Sequence, residues 1–210
     1  MKITKYVHAC LLVEEDNKVA IFDPGSMSRA AFDISKLNQL DYIFITHIHQ
    51  DHLDVDFVKD LVAKFPACVI DSTNEVVKML SEQGIKAQSE PVADVTFFDA
   101  PHESVEPLFP APEEVGIHYL VKLSDPGDSH SFSETKEILA LPITAPWGST
   151  TKALNLAIEL KPKYVIPIHD WHWNDQAREQ MYDRAAQALE KEGITFFKPE
   201  TGVTIDTSVN

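Results

Sequence analysis

The stretch "YIFITHIHQDHLD", residues 42–54, constrains this chain more than any other. A run of β-branched and aromatic residues, the pattern of a buried strand, ends at Thr46. It is followed by His47, His49, Asp51 and His52, four side chains of metal-ligand type in six positions. Imidazoles and carboxylates add little to a core and are costly to bury without partners. Their usual partner is zinc or one of its first-row neighbours. In an extended turn, residues i and i+2 point the same way, so His47 and His49 can share one ion. Asp51 and His52 lie one step further on, where a beginning helix would aim them at a second ion.

Two ions need more ligands than one turn supplies, and other strand ends are where distant segments can converge. His102 follows the strand-like "VTFFDAP", and His169 closes the apolar run "YVIPI" just before Asp170. Asp128 lies in "DPGDS", where Gly127 allows a tight turn that presents a carboxylate. Asp125, three residues earlier, is the alternative. The remaining histidines His8, His118, His130 and His172 are read as structural or supporting, with His8 placed to donate a hydrogen bond near the ligands. Phe109, Trp147 and Trp171 are candidate pocket walls.

The chain opens with three consecutive strands, "KITKYV", "ACLLVE" and "KVAIFD". A short helical or irregular link leads to "YIFIT", and "DVDFVKDLVAKF" then reads as a helix capped by Asp54. "ACVI" is a strand, and "STNEVVKMLSEQG" is a helix capped by Ser72 or Thr73 and ended by Gly84. Residues 103–116 hold three prolines and four glutamates without periodicity, which makes a long loop of the kind that lines sites. Beyond it, strands "IHYLVKL", "EILALPI", "YVIPI" and "ITFFK" mix with helices "TTKALNLAIEL" and "QAREQMYDRAAQALEKEG". Two sheets back to back with helices outside fit this order, in a single domain spanning residues 1–210. A Rossmann sheet would want a Gly-rich first turn, and no GxGxxG occurs.

Composition narrows the function. With 33 acidic and 18 basic side chains the formal charge is −15, which argues against a nucleic-acid partner. No apolar stretch is long enough to span a membrane, and "MKITKYVHAC" lacks a secretory h-region, so a cytoplasmic location is expected. Cys10 and Cys68 match no CxxC pattern and are expected to be reduced thiols. No GxSxG elbow is present, so the expected nucleophile is metal-activated water rather than a side chain.

"THIHQDH" resembles the HxHxDH signature of the metallo-β-lactamase superfamily. The wider order is similar too: "IFDPG", the signature, an isolated histidine, "GDS", and a histidine closing a strand. "LPITAPW" followed by a helix and "KPKYVIPIHD" looks like the branch that includes ascorbate-6-phosphate lactonase and related short metal-dependent hydrolases. The resemblance implies a four-layer αβ/βα sandwich and two divalent metal ions, with zinc the default and manganese or iron alternatives. It implies that His47, His49 and His102 hold the first ion, that Asp51, His52 and His169 hold the second, and that Asp128 bridges them. The implied chemistry is attack by a metal-bridging hydroxide on a small ester, lactone or phosphoester, with Asp51 also the catalytic residue that moves a proton. The alternatives are a mononuclear iron oxygenase resembling persulfide dioxygenases, and a nuclease.

Overall fold

The computed structural model describes residues 1–208, and the chain forms two compact units, Met1–Val92 with the segment from Pro199 onward, and Ala93–Lys198. In the first unit the strands are β1 (Lys2–Lys5), β2 (Leu11–Glu15), β3 (Lys18–Phe22), β4 (Tyr42–Phe44), β5 (Val69–Asp71) and, from the far end of the chain, β12 (Thr204–Asp206). Their order across the sheet is β12-β1-β2-β3-β4-β5. The first four are antiparallel, and β3, β4 and β5 are parallel. Asp16 and Asn17 join β2 to β3 with φ of 48° and 60°, the two-residue hairpin geometry that Asp and Asn tolerate best after glycine.

The link from β3 to β4 is a one-turn helix α1 (Ser26–Arg29) and a 3-10 turn at Ile34–Lys36. Helix α2 (Val55–Lys64) starts where Asp54 accepts the Phe57 N–H at 2.9 Å. Helix α3 (Asn74–Glu82) starts where Thr73 accepts the Val76 N–H at 3.3 Å. Phe57, Val58 and Leu61 of α2, with Val76 and Leu80 of α3, are buried against Ile21, Ile43, Ile45 and Ile70 of the sheet. Burying such side chains stabilises by about 1.5–3 kcal/mol each and fixes the helices on that face. Helix α2 begins after its Asp54 cap, as the sequence predicts, and Asp51 and His52 are not carried on a beginning helix. Residues 50–52 form a turn instead, with the His52 and Leu53 N–H groups both donating to the His49 carbonyl.

The second unit contains β6 (Val95–Phe98), β7 (Gly116–Tyr119), β8 (Leu123–Asp125), β9 (Ile138–Pro142), β10 (Tyr164–Ile168) and β11 (Thr195–Phe196). The sheet order is β11-β10-β9-β8-β7-β6, antiparallel from β6 to β8 and parallel from β8 to β11. Helices α4 (Thr150–Leu160) and α5 (Asp175–Glu190) bury Ala153, Ala157, Ala185, Ala186 and Leu189 against Leu139, Leu141, Ile143 and Val165. Pro167 sits inside β10 without breaking it. The Val165 carbonyl accepts from Phe197 on the β11 side, and Pro167 faces that same side two residues on, where β11 has ended. Its missing N–H therefore removes no ladder bond. Each sheet is mixed and carries its two long helices on one face, the layer pattern expected for each half.

Candidate metal centre

In the first unit the site is built where parallel strands end together. The Asp23 N–H donates to the Phe44 carbonyl at 2.9 Å, which sets the first residue after β3 beside the end of β4. Asp23, fully buried, accepts the Thr46 N–H at 2.8 Å and the Thr46 hydroxyl at 2.9 Å. Its Oδ2 also lies 2.7 Å from His52 Nδ1. A carboxylate there fixes the imidazole with its proton on Nδ1 and its lone pair on Nε2, the arrangement that orients metal-binding histidines.

The turn bearing Asp51 closes over Gly25, and only glycine fits. A Cβ at Gly25 would lie 1.7 Å from the Asp51 carbonyl oxygen. The contact is clamped by Ser26 N–H to the Gln50 carbonyl at 2.8 Å and Asp54 N–H to the Pro24 carbonyl at 3.0 Å. His47 is fully buried and its Nε2 is 3.1 Å from His49 Nδ1. Two nitrogens that close can both lie within the about 2.1 Å of one ion. His8, fully buried and in the left-handed region at φ 64°, brings Nε2 to 3.0 Å from Asp51 Oδ2. One ligand atom each from His8, Asp51 and His52 fall within 4.8 Å of one another. The sequence expectation that His8 supports the ligands fits this geometry.

The second unit carries the remaining ligand candidates. Asp128 Oδ1 is 2.5 Å from His169 Nε2, and its Oδ2 is 3.5 Å from His102 Nε2. His102 Nδ1 donates to the Glu103 carbonyl at 2.6 Å, which again puts the lone pair on Nε2. His169 takes φ 66° immediately after β10. Asp125, fully buried, accepts the Gly127 N–H at 3.1 Å and so shapes the turn, with Gly127 at φ 61° reversing the chain toward Asp128.

The long loop is tied to Asp128 at both ends. The Glu103 N–H donates to the Asp128 carbonyl at 3.0 Å, and the Asp128 N–H donates to Glu114 Oε1 at 2.7 Å. The Glu103 carboxylate accepts from His130 N–H at 3.0 Å, the Ser131 hydroxyl at 2.7 Å and Lys152 at 3.0 Å. Burial pushes this carboxyl up, and those three donors outweigh it, holding it below the usual glutamate range. Behind His169, the Tyr182 hydroxyl donates to Asp170 Oδ2 at 2.6 Å. Burial and the neighbouring carboxylate raise that phenol well above its ordinary value, so it remains a donor.

The supporting residues Asp23, Glu103, Glu114 and Asp170 were not assigned by sequence reasoning. Asp23 carried a signal, a carboxylate closing an apolar strand. The two glutamates carried none, because they lie in an aperiodic loop and their side-chain partners are 14–49 residues away. Of the three aromatic wall candidates, Phe109 and Trp171 are half-exposed, while Trp147 reaches Asp128. His172 is exposed.

His118 is a buried structural residue, stacked on Phe98 with ring centroids 4.1 Å apart and 2.9 Å from the Ser124 hydroxyl. Burial, then the charge of Lys136, push its pKa down from 6.5 to about 4. Between those values the unfolded chain takes up a proton that the folded chain refuses, so stability falls as pH drops through this window. The loss reaches about 3 kcal/mol at the bottom. Urea unfolding at pH 7 and pH 4.5 should show His118→Asn losing less stability on acidification than the unaltered chain. Parallel losses would assign the effect to other groups.

Two mixed sheets with helices on one face, and buried histidines and aspartates at the strand ends, define an α/β protein of metal-binding type. The family model described as "Beta-lactamase superfamily domain" matches residues 2–169, and the chain belongs to that family, the metallo-β-lactamase superfamily. The Mycobacterium tuberculosis protein Rv0786c is 30% identical over 200 residues, covering 89% of this chain and 92% of that one. A protein of Carboxydothermus hydrogenoformans named "UPF0173 metal-dependent hydrolase" is 28% identical, covering 82% of this chain and 86% of its own. Among solved structures, Igni18, a metallo hydrolase from Ignicoccus hospitalis, superposes with a TM-score of 0.69 at 16% identity, covering 98% of both chains. The metallo-β-lactamase fold protein YhfI from Bacillus subtilis gives 0.67 at 15% identity, covering 97% of this chain and 98% of that one. Both place the fold in the α/β sandwich class of the superfamily.

Proposed function

We propose that the chain is a metal-dependent hydrolase acting on a small ester, lactone or phosphoester with two divalent ions, zinc by default and manganese or iron by close chemistry. The observation that carries this reading is the placement of Asp128, whose two oxygens face two different imidazoles, His169 at 2.5 Å and His102 at 3.5 Å. A carboxylate so divided is suited to link two ions. His47, His49 and His102 would hold one, Asp51, His52 and His169 the other, and Asp128 both. The two units would then work as one domain, residues 1–210. The name borne by the Carboxydothermus relative supports the same class of activity.

Bound ions of this kind lower the pKa of water from 15.7 to about 7 and polarise a carbonyl or phosphoryl oxygen. The chain's own residues supply the rest. Asp23 keeps His52 in one tautomer, and His8 holds Asp51 through its Oδ2. The Asp51 side chain is a quarter exposed, which lets it both ligate and pass a proton to the departing group. The net charge of −15 favours a small molecule over nucleic acid as partner. The two thiols, Cys10 and Cys68, not joined in a disulfide, support a cytoplasmic setting. Among the described residues no helix is long and apolar enough to cross a membrane.

Elemental analysis of chain purified without added metal or chelator tests the reading. The expected result is about two zinc or manganese ions per chain, with hydrolysis of lactones or phosphoesters lost on chelation and restored by the ion. One iron per chain, with dioxygen consumed on thiol substrates and no hydrolysis, would replace it with the oxygenase alternative.

A further inference from the structure

Trp147 is outside the proposed ligand set, yet its indole Nε1–H donates to Asp128 Oδ2 at 3.2 Å. We infer that Trp147 is the positioning residue of Asp128, fixing how the carboxylate divides its oxygens between His102 and His169 and so tightening the hold on the ion pair. The inference rests on the reading of Asp128 as the bridging ligand. An aspartate carboxylate turns easily about its last torsion, which has broad wells rather than sharp ones. A donor on one oxygen removes that freedom. The indole suits the task because it donates one hydrogen bond, accepts none and cannot itself bind the ion.

The indole is held in place by contacts of its own. Trp147 sits in a turn closed by Ala145 and Gly148, whose N–H and carbonyl groups bond reciprocally, both at 3.2 Å. The His130 ring meets the indole edge-on, with centroids 4.9 Å apart at 74°. His130 is anchored in turn, its Nε2 donating to the Pro142 carbonyl at the end of β9 at 2.7 Å. Gly148 lets the turn press onto that ring, since a Cβ there would lie 2.9 Å from His130 Cε1. The indole also lies 5.8 Å from the His169 ring, against the second imidazole that Asp128 faces. A rigid strand end thus sets a histidine, the histidine sets the indole, and the indole sets the carboxylate. An aromatic residue serving only as a wall would need the ring but no aimed N–H.

Trp147→Phe keeps the ring and removes the donor. Metal affinity, measured by competition with a chromophoric chelator, should fall about 10–100-fold while the thermal melt of the metal-free chain stays unchanged. Combined with Asp128→Ala, which removes the acceptor, it should add little to the loss caused by Asp128→Ala alone, because both changes break one interaction. Gly148→Ala, which pushes the turn off His130, should weaken metal binding in the same direction. If the unaltered chain binds two ions and Trp147→Phe binds them equally well, this inference is overturned and the hydrolase reading stands. A chain that takes up no ion overturns both.

Discussion

Replacing His47 and His49 together by alanine is expected to leave a folded chain that holds at most one ion and has lost metal-dependent hydrolysis. Both imidazoles come from the turn after β4, and their facing nitrogens, 3.1 Å apart, belong to one proposed ion. No other pair in the first unit would replace them, because the His52 ring is tied to Asp23 and Asp51 is tied to His8. Turnover should drop on the order of 10³-fold or more, since losing an ion costs at least as much as losing one oxyanion donor. The fold should survive. Removing the buried His47 ring leaves a cavity beside Thr46 costing about 1–3 kcal/mol, against a typical total stability of about 5–15 kcal/mol. Circular dichroism would verify the fold and elemental analysis the loss of metal. Undiminished hydrolysis in the double variant would place the reaction elsewhere on the chain.

The second large effect is a ranking. Asp128→Asn should empty at least one metal position, whereas Asp125→Asn should bind metal nearly as well as the unaltered chain. Asparagine at 128 keeps the size and the acceptor for Trp147 but removes the charge that two cations would share. Asparagine at 125 can still accept the Gly127 N–H, the contact through which that residue shapes the turn. The expected gap in metal affinity exceeds the roughly 10–100-fold typical of supporting residues. Equilibrium dialysis of both variants measures it directly, and the opposite order would make Asp125 the bridge.

The ligand turn was legible because its residue types contradict their surroundings: polar, metal-seeking side chains directly after an apolar strand. The helix caps at Asp54 and Thr73 were legible for a similar reason, being local chemistry within three residues. What stayed hidden depends on chain pairing. Asp23 supports His52 only because β3 and β4 lie side by side and parallel, a register no local pattern states. Glu103 and Glu114 read as loop acids, yet their bonds to Asp128 and His130 hold two turns in place. Asp51 and His52, expected on a beginning helix because their spacing resembles a helical step, lie instead in a turn that closes over Gly25. Strand β12 was missed because "TID" is too short to show alternation, and its pairing with β1 supplies the order.

That last pairing bears on how the protein is made. Strand β12 lies against β1, yet the whole second unit, Ala93–Lys198, is synthesised between them. At ribosomal speeds of about 5–20 residues per second, the outer edge of β1 waits roughly 10–40 seconds for its neighbour to emerge. The first half of the chain to appear is therefore the last to complete its sheet. A nascent chain stalled within the second unit would present that open strand edge to other chains, the kind of template from which aggregates grow.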